Sequence, residues 1–276
     1  MAAAVSAALA AGGCSANVLV AVHPCPDGGV PTSSGCTPLL EDLVGWWRLD
    51  EKSGSTIAQD FSTNGNNGTL VDLDPATAWG VGRSAGGLSV ESAGFVNVVP
   101  SASIDSITDH LTIAGWGNLE AMATIMDYAT IASREFGTGI DQHYHISINS
   151  RGDLPALWLH TENATMLLQG PKAVTRDSWI HIAGTYDGAT ARLYVNGQQA
   201  ATQALTGRFV ADTTPFVLGA NGNGVGDANV TERFGGKIDE IMLYRRTLTA
   251  TEIAQLAGGA LFVSPPPPDQ DAGAQD

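Results

Sequence analysis

Two stretches of the chain carry side chains whose chemistry has to be explained first. One is FGGKIDEIMLYRRTLTATEIAQL, residues 234–256, where Asp239 alternates with Ile241 and Leu243. Alternate side chains on a strand share a face, so if the two apolar residues point into a core, the carboxylate points with them. A buried carboxylate needs a partner: a metal ion, a basic side chain or a set of backbone N–H groups. The other stretch is DFSTNGNNG, in which Asp60, Asn64, Asn66 and Asn67 crowd oxygen atoms into a tight turn ending at Gly68. Calcium takes roughly six to eight such oxygens. The same residues also make ordinary Asx turns that bond their own backbone. A second Asn/Gly stretch, NGNGVGDAN from Asn221 to Asn229, is read mainly as a connection, with Asn221 kept as a candidate ligand contact.

HYHIS sets His143 and His145 on one face of a strand, with Tyr144 on the other. Zinc or a catalytic pair would need a third group, and none stands at a matching spacing. The alternative is a groove wall that hydrogen-bonds a bound sugar. Trp46, Trp47, Trp79, Trp116, Trp158 and Trp179 are the six tryptophans. Exposed aromatics stack on sugar rings, while buried ones pack. Trp46 and Trp47 are adjacent and face opposite ways, so one joins the core; Trp46 and Trp158 are the ligand-face candidates. RGD at Arg151–Asp153 is read as hairpin-turn chemistry. Catalysis lacks its parts. There is no Gly-x-Ser-x-Gly elbow, the region after Cys36 holds no cysteine, and Asp239 and Glu240 would point to opposite faces of a regular strand. No catalytic residue is assigned.

The elements that position these groups are strands. The chain has 276 residues, 43% hydrophobic and only 15% charged, with 33 glycines, which suits an all-β domain with many turns. Short alternating runs such as LTIAGWGNL, HYHISINS, ALWLHT and WIHIAGTYD recur between Gly/Asn/Asp clusters, as in a sandwich or barrel. Asn196-Gly197 is a hairpin turn, and SRGDL is a second candidate. One helix is expected from Thr249, where TATE forms a capping box with Glu252. A net charge of −15 excludes nucleic acid and anionic membranes as partners, leaving cations and neutral sugars open.

Three segments carry a resemblance. WIHIAGTYDGATARLYVNGQQ, FGGKIDEIMLYRRTLTATEIAQL and GWWRLDEKSGSTIAQDFSTNGNNGTL together resemble the laminin-G-like, concanavalin-A-like jelly-roll domain, over residues 43–257. The resemblance implies two packed antiparallel sheets. It also implies, in calcium-binding members, an ion where the first and last strands meet. Carried onto this chain, the ligands are Asp239, Asp60, Asn64, Asn66 and Gly68. The clustered acids of related glycosidases, Glu-x-Asp-x-Glu, are absent here. The expected function is therefore a non-catalytic binding module for a glycan, with a surface protein as the alternative partner and a polysaccharide hydrolase as a further alternative. The ligand contacts would be Trp46, His143, His145, Trp158 and Asn221, and a monomer is expected.

The N-terminus, MAAAVSAALAAGGC, resembles an export signal with a lipobox ending at Cys14. Residues 15–38 form a leader in which Cys25 and Cys36 are left to pair as a disulfide in an oxidising compartment. The folded domain is expected over 39–261, followed by a Pro-rich acidic tail over 262–276. Together these imply a secreted or cell-surface protein whose only hold on a membrane is lipid.

Overall fold

The computed structural model describes residues 30–32, 35–37, 39–90, 94–125, 127–134, 143–209, 214–222 and 230–259. Strands β1 (Val30–Thr32) and β2 (Gly35–Thr37) pair with each other alone. The sandwich begins with β3 (Leu43–Trp47), β4 (Ile57–Ala58), β5 (Gly68–Val71), β6 (Trp79–Ser84), β7 (Gly86–Ser89) and β8 (Phe95–Val98). A one-turn helix α1 (Ala102–Asp105), capped by Ser101, leads into β9 (Leu111–Leu119), β10 (Tyr128–Arg134), β11 (Tyr144–Asn149), β12 (Leu154–His160) and β13 (Thr165–Gln169). Then follow β14 (Trp179–Tyr186), β15 (Thr190–Val195), β16 (Gln198–Ala204), β17 (Phe216–Leu218), β18 (Asn221–Gly222), β19 (Val230–Thr231), β20 (Gly236–Tyr244) and helix α2 (Ala250–Ala257).

Two antiparallel sheets result. Sheet I runs β13-β12-β11-β10-β17-β8-β5-β4, and sheet II runs β16-β15-β14-β9-β20-β7-β6 with β3 also paired to β20. This is the expected all-β two-sheet sandwich. Ile131, Ile146, Ile148 and Leu157 of sheet I meet Ile113, Ile182, Leu193, Ile238, Ile241 and Leu243 of sheet II in one buried core. The GWG of β9 has a packing cause: a Cβ on Gly117 would come within 2.5 Å of the Phe234 ring. Asn196 (φ 48°) and Gly197 (φ 80°) turn β15 into β16, as the dipeptide requires. Helix α2 begins at the expected capping box, Thr249 with Glu252, and lays Ile253 and Leu256 on Ala114, Ala183, Tyr194 and Met242 of sheet II's outer face.

One expectation about β20 is corrected. Strict alternation puts Asp239 in the core row of Ile241 and Leu243, but the register between β20 and β9 shifts between Asp239 and Met242. Glu240 sits there in the left-handed region, φ 51°. A one-residue bulge reverses the phase of every side chain before it. Ile238 therefore joins Ile241 and Leu243 in the core, while Asp239 stands opposite Trp116 on the outer face, in the phase of the Ala114–Met242 pair.

Candidate ligand-binding site

On sheet I, the inward run Tyr144, Ile146, Ile148 forces His145, Ser147 and Asn149 outward along β11. Register places His145 between Ser133 of β10 and Trp158 of β12. Tyr128, at the start of β10, closes an aromatic group with them. Ring centroids lie 5.5 Å apart for Tyr128–His145, 5.8 Å for the stacked His145–Trp158 pair and 6.2 Å for Tyr128–Trp158. Beside the group opens a cleft of about 280 Å³ lined by Asp127, Tyr128, Asn149, Arg151, Leu167 and Gln169.

The polar atoms beneath this platform are arranged around Asn221. Its Nδ2 donates to Oε2 of Glu232 at 2.8 Å and stands 3.4 Å from Nδ1 of His145. His145 is 1% exposed, and burial pushes its pKa down to about 3, so the ring is neutral. An amide donor facing Nδ1 selects the tautomer with the proton on Nε2. That Nε2, together with Trp158 Nε1, Asn221 Oδ1, Ser147 Oγ and Thr130 Oγ1, has no hydrogen-bond partner among the described residues. A buried polar group left unpaired costs about 1–3 kcal/mol, so five in one patch favour a further partner there. The outer face of sheet II carries such atoms too, Trp116 Nε1, His181 Nδ1 and Asp239 Oδ1 among them. It is the aromatic group and the adjoining cleft that set sheet I apart. Burial is also the first cause raising the Glu232 carboxyl above the usual range, and Asp127 adds to the rise.

The outer face of sheet II holds a different polar group. Oδ2 of Asp239 accepts from the backbone N–H of Arg83 (2.7 Å) and Ser84 (2.9 Å) in the β6–β7 hairpin. Oε2 of Glu240 accepts from Nε1 of Trp46 at 2.6 Å, and Arg48 Nε lies 4.0 Å from Oε1. Burial drives both carboxyls up, Asp239 to about 7 and Glu240 to about 8. Arg83 stacks over Trp116 at 4.5 Å, and the Trp116 ring meets His181 edge-on at 5.3 Å.

The expected site residues divide accordingly. His145, Trp158 and Asn221 come together on sheet I. Trp46 lies on sheet II instead, tilted against Phe61 at 6.2 Å, while its neighbour Trp47 is the core residue, fully buried and stacked on Phe216. His143 packs toward Phe209 at the end of β11, 6.4 Å between centroids, and does not join His145's ring group. Asp60 is not brought to Asp239. It bridges Trp47 on one edge of β3, while β20 pairs along the other edge, so β3 stands between the two carboxylates. The Asp60 carboxylate accepts from the N–H groups of Trp46, Ser62 and Asn66. Asn64 donates to the Leu43 and Val44 carbonyls, and Asn66 Oδ1 accepts from Ser101. Gly68 is a packing residue on β5, where a Cβ would fall 2.2 Å from Val96 Cγ1. The five residues do not fit a single calcium ion, and among the described residues no three His, Cys, Asp or Glu are grouped to hold a metal. Cys14 and Cys25 lie outside the described residues, as does the side chain of Cys36.

Tyr128, Ser147, Thr130 and Glu232 were not singled out from the sequence. Alternation along HYHISINS would have placed Ser147 beside His145. Nothing local ties Glu232 to Asn221, because their meeting depends on β18 pairing with β19.

Two packed antiparallel sheets in this strand order define a jelly-roll class of fold. A family model described as the concanavalin A-like lectin/glucanases superfamily matches residues 91–254, and the chain belongs to that superfamily. No curated protein matches the chain by sequence. Among solved structures, the chain is similar to domain 4 of AbnA, a GH43 extracellular arabinanase from Geobacillus stearothermophilus, in complex with arabinotriose. That match has 18% identity and a TM-score of 0.56, covering 78% of this chain and 98% of that one. The binding domain of botulinum neurotoxin DC in complex with SialylT matches at 13% identity and TM-score 0.56, over 80% of this chain and 52% of that one. Trypanosoma rangeli sialidase in complex with a difluoro-KDN matches at 15% identity and TM-score 0.57, over 86% of this chain and 36% of that one. Identities this low speak to the fold alone.

Proposed function

We propose that this chain is a non-catalytic carbohydrate-binding module whose site is the outer face of sheet I. The observation that carries it is the Tyr128–His145–Trp158 ring group beside a cleft and set over buried donors and acceptors with no partner among the described residues. Sugar rings offer apolar faces to aromatics and hydroxyls that both donate and accept, which is the complement of this patch. The arabinotriose and SialylT complexes of two structural neighbours support the choice of a saccharide over a protein. The calcium expectation is not part of the proposal, because its residues do not surround one point. Export with lipid on Cys14, a Cys25–Cys36 disulfide and a monomeric state complete the reading on the sequence grounds given above. Intact mass before and after reduction tests the first two of these.

The test of the site is a glycan array with the wild-type chain, followed by titration of the best sugar against Trp158→Ala and Tyr128→Ala. Wild-type binding that both substitutions weaken supports the module. Absence of binding to any saccharide, or binding indifferent to both substitutions, sinks it.

A further inference from the structure

The chemistry of the sheet I site goes further than saccharides in general, and the inference rests on the carbohydrate reading above. Glu232 holds an unusual position for an acidic residue. Its backbone is left-handed, φ 50°, and its carboxylate is fixed by the Asn221 amide at 2.8 Å. The same amide nitrogen faces His145, so the carboxylate is tied into the group of atoms under the aromatic platform. The bond that holds it comes from a neutral amide and cancels none of its charge. Asp127, on the rim of the cleft, is close enough to disfavour ionisation of Glu232. Among the described residues that line the neighbouring cleft, the exposed Arg151 is the one cation. The remaining unpaired groups are neutral: two ring N–H donors, His145 Nε2 and Trp158 Nε1, the Asn221 carbonyl oxygen and two hydroxyls.

We propose that the site selects neutral sugars over acidic ones, and that Glu232, held by Asn221 beside His145, is the residue that rejects a sugar carboxylate. Hydroxyl-bearing rings find donors and acceptors there. A uronic or sialic acid brings a further negative charge into a partly desolvated site, where like-charge juxtaposition acts against the wrong ligand.

The experiment uses the full chain and matched saccharide pairs: galacto-oligosaccharides against galacturonate oligomers, xylo-oligosaccharides against glucuronic-acid-substituted xylo-oligosaccharides, and lactose against sialyllactose. Affinities are read by calorimetry at low salt and at about 0.5 M salt, where the Debye length falls to a few ångströms. The expected result is a neutral member bound at least about tenfold more tightly than its acidic partner, a gap that narrows in high salt and in Glu232→Gln. Glu232→Gln keeps an acceptor for Asn221 and removes only the charge. The wild-type salt comparison stands on its own if that variant folds poorly. Acidic members bound as tightly as neutral ones, or more tightly, overturn the selectivity while leaving the carbohydrate site in place. A gap unchanged in Glu232→Gln that melts like wild type overturns the role given to Glu232. No binding by any pair overturns the carbohydrate reading itself.

Discussion

The outer faces of the two sheets are both polar, yet they use their polar side chains differently. Sheet II draws its carboxylates inward to protein donors. Asp239 ties the β6–β7 hairpin to the last strand, and Glu240 takes the Trp46 indole, while α2 covers the neighbouring apolar patch. Sheet I holds a neutral set, His145 Nε2, Trp158 Nε1, Asn221 Oδ1 and two hydroxyls, without a partner among the described residues, under an aromatic platform. Both faces keep buried polar atoms without a hydrogen-bond partner among the described residues, Asp239 Oδ1, Glu240 Oε1, Trp116 Nε1 and His181 Nδ1 on sheet II included. What separates them is that the carboxyls of sheet II tie strands together, while the aromatic group of sheet I borders an open cleft. The sheet II cluster should therefore govern stability and the sheet I cluster should govern binding, with little crossover between them.

The largest effect expected is on stability against pH. The folded pKa values of Asp239 and Glu240, about 7 and about 8, lie above their ordinary values of 3.8 and 4.5. The folded state thus holds protons that the unfolded state has already released. The stabilisation is complete below about pH 4 and is lost as pH rises through 7 and 8. Two buried histidines act the other way. His145 and His181, both pushed to about 3 by burial, cost stability as pH falls below the ordinary value of 6.5. Between about pH 4.5 and 6.5 the two pairs oppose each other, giving a plateau. Above it only the carboxyls remain, and stability should fall by an amount on the order of 3 kcal/mol by pH 9. Arg48 and Asp50 flank the pair and pull Glu240 in opposite directions, so they trim the fall without reversing it. Urea unfolding at pH 6, 7.5 and 9 measures this limb. Glu240→Gln should flatten it, and an equally steep limb in that variant would remove the carboxyl pair as its cause.

Next in size is the loss of the Asp239 carboxylate. Asp239→Ala leaves the N–H groups of Arg83 and Ser84 without their acceptor, which should cost about 2 kcal/mol of unfolding free energy. Saccharide affinity should stay unchanged in the folded fraction. A variant that folds as well as wild type, or that folds normally but loses binding, breaks the division between the two faces.

Smaller still is the binding effect on sheet I. Trp158→Ala removes a ring stacked on His145 at 5.8 Å and should weaken saccharide binding by about tenfold, or ~1.4 kcal/mol. Trp46→Ala, on the other face, should leave affinity where it was while lowering stability through the lost Glu240 bond. Equal losses of affinity from both tryptophans would mean that the ligand does not distinguish the faces.

The fold was legible because its signals are local and repeated. Asn196-Gly197, the Thr249–Glu252 box and the alternation of LTIAGWGNL each act within a few residues, and the structure places β9 over that whole run, Leu111–Leu119. The faces were legible only where alternation is unbroken. It held along HYHISINS, which is why His145 and Trp158 stand where expected. It failed across IDEI, where one left-handed residue reverses the phase and no turn-forming residue announces it. The short strands β4, β5, β18 and β19 escaped notice, since runs of two to four residues carry too little periodicity to register. Asn221 and Glu232 join through such a pair, so the link between them in the candidate site was hidden with it.

The smallest effect expected concerns calcium, and it bears on what the turn at Asp60 is for. A cation bound only by the folded state raises the melting temperature with the logarithm of its concentration. That requires oxygens free to turn toward it. The Asp60 carboxylate is already engaged by three backbone N–H groups and the Ser62 hydroxyl, and Asn66 Oδ1 is engaged by Ser101. These bonds join the turn to β3 and to the cap of α1, so the work expected of an ion at this seam is done by hydrogen bonds. Asp239 keeps one unpartnered oxygen, Oδ1, which is too few for a calcium shell of roughly six to eight. Melting in millimolar calcium and in excess chelator should therefore agree to within about 1 °C, while Asp60→Ala lowers both curves together through its lost N–H bonds. A calcium-dependent rise that vanishes in Asp239→Asn would show that β20 recruits an ion through that one oxygen together with ligands from outside the described residues. It would also show that the seam of sheet II, as proposed for the platform of sheet I, is completed by something other than the chain.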